Sequence, residues 1–129
     1  MKKILVVDDS PGWVRHHIFN IKYILGEENI EISYAYSAKE GDNLLLSNID
    51  KPFDIIFTDM QMEADFLPLN AGEWLVKQIQ FYPEYKGTKI VIISASPRIE
   101  QLAEKYGVDY IPKRLCETTV PYMEILCSQ

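Results

Sequence analysis

The chain has 129 residues, 47% of them hydrophobic and 25% charged, with a formal net charge of −6. That length fits one domain with a proper core, so residues 1–129 are expected to form a single domain with no output domain attached. The negative balance argues against non-specific nucleic-acid binding, which needs a surplus of lysine and arginine on some face. No apolar run approaches the roughly 20 residues of a membrane span, and Met1-Lys2-Lys3 leads directly into a short strand-like run, unlike a secretory signal. The expectation is a cytoplasmic protein without direct membrane contact. Cys116 and Cys127 lack zinc-ligand spacing, and are expected to be buried or idle thiols.

Strand and helix patterns alternate along the chain, the signature of βαβ units around a parallel sheet. Ile4 to Val7 reads as the first strand and runs into Asp8 and Asp9. Ser10 is placed to cap a helix with Pro11 at its first position. Val14, Ile18, Ile21 and Leu25 recur at helical spacing, and Gly26 is placed to end the helix. His16 and His17 read as a solvent-facing pair on it. Ile30 to Tyr36 alternates apolar and polar side chains, as expected of an edge strand. Ser37 and Glu40 fit a capping box opening a helix to about Ser47, and Asn48 to Pro52 makes the turn that follows.

The central strand is Phe53-Asp54-Ile55-Ile56-Phe57-Thr58-Asp59, an apolar run that ends in a carboxylate. Met60 to Ala71 is the least regular stretch, and its Phe66, Leu67 and Leu69 are expected to tuck onto the domain. Gly72 to Tyr82 reads as the third helix, burying Leu75 and Ile79. Lys89 to Ser94 is the fourth strand. Ser96 and Pro97 read as the start of a helix that ends at Gly107, with Ile99, Leu102, Ala103 and Tyr106 facing inward. Val108 to Ile111 is the fifth strand. Pro121 cannot sit inside a helix without losing a backbone bond, so the last helix is expected to be short, from near Thr119 to Cys127.

In an open parallel sheet the ligand site lies beyond the carboxyl ends of the strands, so Asp8, Asp9, Asp59, Ser94 and the later Lys113 are expected to converge. Mg²⁺ takes octahedral oxygen ligation from one or two carboxylates, phosphate oxygens and water. Without a cation, each pair of carboxylates about 4 Å apart costs roughly 4 kcal/mol at an effective dielectric near 20. The expected site is a single Mg²⁺ and phosphoryl centre around Asp59.

Over essentially its full length the chain resembles a stand-alone receiver domain of two-component response regulators. The resemblance is carried by Ile4-Leu5-Val6-Val7-Asp8-Asp9-Ser10, Asp54-Ile55-Ile56-Phe57-Thr58-Asp59-Met60, Ile92-Ile93-Ser94-Ala95 and Tyr110-Ile111-Pro112-Lys113. It implies a three-layer, doubly wound α/β fold, (βα)5 with a five-stranded parallel sheet of flavodoxin-like order 2-1-3-4-5. It also implies that Asp59 is the phosphoacceptor, served by a histidine kinase or histidine phosphotransferase, and that the domain is no enzyme beyond assisting its own phosphorylation and dephosphorylation. By the same resemblance Asp8, Asp9, Asp59 and the backbone carbonyl of Gln61 hold Mg²⁺. Ser94 bonds the phosphoryl group, Lys113 pairs with it, and Tyr110 switches rotamer as Ser94 moves, signalling to a separate target protein.

The pattern departs from the family in two places. Arg114 stands where the family usually has a proline after the lysine, and a cis bond there would cost about 2.5 to 4 kcal/mol, so the expected bond is trans and the aim of Lys113 is open. The stretch after Asp59 is long and lacks the usual proline. These departures motivate an alternative, a receiver-shaped binding module that is not phosphorylated. A haloacid-dehalogenase-type Mg²⁺ phosphatase is the other alternative, but it wants its two strand-end aspartates one residue apart, and Asp8 and Asp9 are adjacent.

Overall fold

The structure is a computed structural model that describes residues 1–62 and 71–127. The expectations for Phe66, Leu67 and Leu69 fall outside the described residues. Five parallel strands, β1 (Lys2–Val7), β2 (Ile30–Ala35), β3 (Ile55–Asp59), β4 (Lys89–Ser94) and β5 (Asp109–Pro112), form one sheet in the order β2-β1-β3-β4-β5. This is the doubly wound 2-1-3-4-5 arrangement, and β2 is an edge strand as its alternation predicted.

The helices are α1 (Pro11–Leu25), α2 (Ala38–Ser47), α3 (Ala71–Phe81), α4 (Ile99–Tyr106) and α5 (Val120–Leu126). Successive residues of a strand face opposite sides, and here each side has its own core. Ile4, Val6, Ile55, Phe57, Val91, Ile93 and Ile111 pack with Val14 and Ile21 of α1 and with Tyr122 and Leu126 of α5. Leu5, Val7, Ile56, Ile90 and Ile92 pack on the other side with Leu45 of α2, Leu75, Val76 and Ile79 of α3, and Ile99 and Ala103 of α4.

The predicted caps hold, with local adjustments. Ser10 Oγ accepts from the Trp13 N–H, and Gly26 closes α1 at a φ of +89°. Ser37 Oγ accepts from the Glu40 N–H, while the Glu40 carboxylate reaches back to the N–H of Tyr36. The fourth helix starts at Ile99 rather than at Pro97: Ser96 Oγ accepts from the Arg98 N–H and caps a turn that precedes the helix. Pro121 lies in the first turn of α5, the position that tolerates it. A 3₁₀ segment over Lys113–Glu117 joins β5 to α5; nothing in the hydrophobic pattern announced it.

Candidate functional site

Strand register assembles the site. Val7 pairs with Thr58 and Asp59 with Ile93, so Asp8 and Asp59 leave neighbouring strands at one level. Ser94 pairs with Pro112, which puts Lys113 one step beyond. Asp8, Asp9 and Asp59 each offer a carboxylate oxygen within 4.8 Å of the others. The structure therefore brings together the three carboxylates expected to meet beyond the strand ends.

Asp8 and Asp59 are buried at 0% and 2% exposure. Lys113 Nζ lies 3.6 Å from Asp8 Oδ2 and 3.5 Å from Asp59 Oδ1, so it bridges the two carboxylates despite the arginine that follows it. The same ammonium sits 4.8 Å above the Trp13 ring, a cation–π contact. Burial and then the charge of Asp8 push the Asp59 carboxyl up to about 6, against the pull of Lys113 and the Gln61 N–H. Burial also pushes Asp8 upward, but the His17 imidazole, the Ser10 N–H and Lys113 outweigh it and hold Asp8 below the usual carboxylate range. Among the described residues, Asp8 Oδ2 and Asp59 Oδ1 have no hydrogen-bond partner. Two orphaned buried carboxylate oxygens beside a third acid are what a hard divalent cation satisfies, so the donor set fits the expected ion.

Ser94 is buried, and its Oγ accepts from the Ser96 N–H at 3.0 Å, at the mouth of the β4–α4 turn. Tyr110 stands on β5, the edge strand opposite β2, 36% exposed and two positions before Pro112. Gln61 fastens the turn after β3 to the turn after β4, its Oε1 accepting from the Ala95 N–H at 3.2 Å. A contact not foreseen from the sequence comes from Gly72: a Cβ there would lie 2.5 Å from Met60 Cα and 2.6 Å from the Asp59 carbonyl oxygen. The start of α3 thus rests directly on the backbone that carries Asp59.

The expectation of a solvent-facing histidine pair is overturned. His17 is 1% exposed, and its Nε2 faces Asp8 Oδ2 at 3.5 Å. Its Nδ1 is 2.6 Å from the Tyr122 hydroxyl of α5. His16 is half-buried against the carbonyl of Cys116. Burial holds the His17 imidazole below its usual value, outweighing the attraction of Asp8. A signal exists in the sequence: Val14, His17 and Ile21 are spaced three and four apart, on one helix face, so His17 shares the stripe of Val14, Ile18, Ile21 and Leu25.

No family model matches the chain, and no curated protein sequence matches it. Solved structures do. A response regulator receiver protein from Burkholderia phymatum is 18% identical with a TM-score of 0.74, covering 98% of this chain and 93% of its own. A CheY-like receiver domain from Methylobacillus flagellatus is 22% identical at a TM-score of 0.67, with 98% and 97% covered. The Mn²⁺-bound form of the response regulator Rcp1 is 18% identical at 0.71, with 98% and 94% covered. At these identities the likeness speaks for architecture, and over nearly its whole length the chain has the fold of response-regulator receiver domains.

Proposed function

We propose that this protein is a phosphoacceptor switch of a two-component or phosphorelay system, phosphorylated on Asp59 in the presence of Mg²⁺ and acting through a separate partner. The observation that carries the reading is the buried Asp59 carboxylate, flanked by Asp8 and Asp9 on one side and bridged by Lys113. Phosphoryl transfer asks a protein mainly for positioning and charge neutralisation.

In the proposed reaction an Asp59 oxygen attacks the phosphorus of a phosphohistidine on a kinase or phosphotransferase. The new O–P bond makes an acyl phosphate, the N–P bond breaks, and the imidazole leaves with its electron pair. Asp8, Asp9 and Asp59 would hold Mg²⁺ together with the backbone carbonyl of Gln61, and the ion supplies positive charge to the phosphoryl oxygens. Lys113 exchanges its carboxylate contacts for the incoming oxygens. Ser94 gives up its bond to the Ser96 amide and donates its hydroxyl proton to the phosphoryl group, and Tyr110 turns inward as the β4–α4 turn follows. At an Asp59 value of about 6 the carboxylate is mostly ionised at neutral pH, so the nucleophile is ready. Arg114 and the long stretch after Asp59 motivate the unphosphorylated alternative; the position of Lys113 against Asp8 and Asp59 supports the phosphoacceptor reading. Among the described residues no helix is long and apolar enough to cross a membrane.

The test is intact mass. Incubation with a small acyl-phosphate donor and Mg²⁺ is expected to add one phosphoryl group to the wild type and none to Asp59→Asn. No added mass on the wild type would overturn the assignment.

A further inference from the structure

The cation site does not end at its carboxylates. Behind Asp8 lies a buried polar chain joining α1 to α5: Asp8 Oδ2, His17 Nε2 at 3.5 Å, then His17 Nδ1 and the Tyr122 hydroxyl at 2.6 Å. Cys116, on the 3₁₀ segment before α5, is buried in the same cluster as Tyr122. All four residues are essentially inaccessible. Asp8 Oδ2 and His17 Nε2 face each other, and among the described residues neither has a hydrogen-bond partner.

We infer that His17 and Tyr122 are positioning residues for the cation site: Tyr122 fixes the imidazole, and the imidazole fixes the carboxylate of Asp8. This rests on the proposed role of Asp8 in holding a divalent ion. Asp8 Oδ1 is already held by the Ser10 N–H at 2.9 Å, so the rotation of the carboxylate is decided by what meets Oδ2. Two groups do. Lys113 has a long flexible stem and, in the proposed reaction, leaves for the phosphoryl oxygens. His17 stays, because Tyr122 grips Nδ1 and the Trp13 ring stacks on it at 5.5 Å with an interplanar angle of 28°.

The carboxylate also decides the tautomer. With the Tyr122 hydroxyl donating to Nδ1, the imidazole proton sits on Nε2 and faces Asp8; the other tautomer would set a lone pair against an anion. Tyr122 in turn is braced by Phe57 of the central strand, ring centroids 6.3 Å apart. The bond between positions 17 and 122 spans almost the whole chain, so ion affinity becomes a property of how α1 packs on α5. Partners of this kind behind a metal ligand typically change metal affinity by about 10- to 100-fold when removed.

Calorimetric titration with Mg²⁺ and with Mn²⁺ at neutral pH tests this on the wild type, Tyr122→Phe, His17→Leu and His17→Gln, with thermal melts of each. Tyr122→Phe and His17→Leu are expected to weaken Mn²⁺ binding by about 10-fold or more. His17→Gln keeps an N–H donor and is expected to recover part of the loss. A wild type that binds neither ion overturns the cation site itself. A wild type that binds, with Tyr122→Phe binding equally well, overturns the inference alone, even if the melt of the variant falls, since that is the mark of a purely packing role. Tyr122→Phe removes a single hydroxyl and decides the matter should His17→Leu fail to fold.

Discussion

Replacing Asp59 with asparagine is expected to stabilise the protein, with a pH dependence that identifies the cause. The carboxyl moves from 3.8 to about 6 on folding, driven first by burial and then by the charge of Asp8. Each unit is worth about 1.4 kcal/mol, so the ionised side chain costs the folded state about 3 kcal/mol at neutral pH. The sign follows from proton binding. A carboxyl whose value is raised in the native state binds more protons there than when unfolded, so its stabilising contribution is complete below about 4 and disappears as pH rises through about 6. Asparagine has no charge to bury and escapes the loss. Urea midpoints at a fixed m-value should therefore show Asp59→Asn more stable by about 3 kcal/mol near pH 7.5, falling to about 1 kcal/mol near pH 4.5. Saturating divalent cation should stabilise the wild type more than the variant and narrow the gap at pH 7.5. A variant less stable than the wild type at pH 7.5, or a gain equal at both pH values, would refute the reasoning.

Two further outcomes follow from the same geometry. Gly72→Ala drives a Cβ into backbone at Met60 and Asp59, and is expected to destabilise by about 1 to 3 kcal/mol and to slow phosphoryl uptake, since the backbone that yields carries the acceptor; urea melts and the rate of mass gain measure both. In Trp74→Phe, the remaining Trp13 is expected to change its emission on Mg²⁺ addition, because a cation among the carboxylates competes with Lys113 for them while Lys113 lies over the indole; unchanged fluorescence at saturating Mg²⁺ rejects this.

Much of the architecture could be read in advance because each local signal had one meaning. The runs from Ile4 to Val7, Phe53 to Asp59 and Ile90 to Ser94 are too apolar for anything but buried strands, and a parallel sheet sends their polar ends to one edge. Ser10, Gly26, Ser37 and Pro121 fixed helix ends through backbone chemistry that needs no tertiary partner. What stayed hidden depended on contacts distant in sequence. His17 reads as polar until Asp8 and Tyr122, one just past the preceding strand and the other on the last helix, supply its partners. Gly72 reads as a helix start until the backbone of Asp59 is found beneath it. The aim of Lys113 was open because Arg114 follows it, and the 3₁₀ segment from Lys113 to Glu117 helps set it.

The alternation of side chains along the strands has one last consequence. Asp8, Asp59 and Lys113 continue the rows of Val6, Phe57 and Ile111, which belong to the layer of α1 and α5, whereas Ser94 continues the row of Ile90 and Ile92 and belongs to the layer of α3 and α4. A group attached at this rim is therefore a common tenant of two compartments that the sheet otherwise keeps apart. On the proposed function, its arrival or departure would bear on both helix layers together, without any signal having to cross the hydrophobic interior.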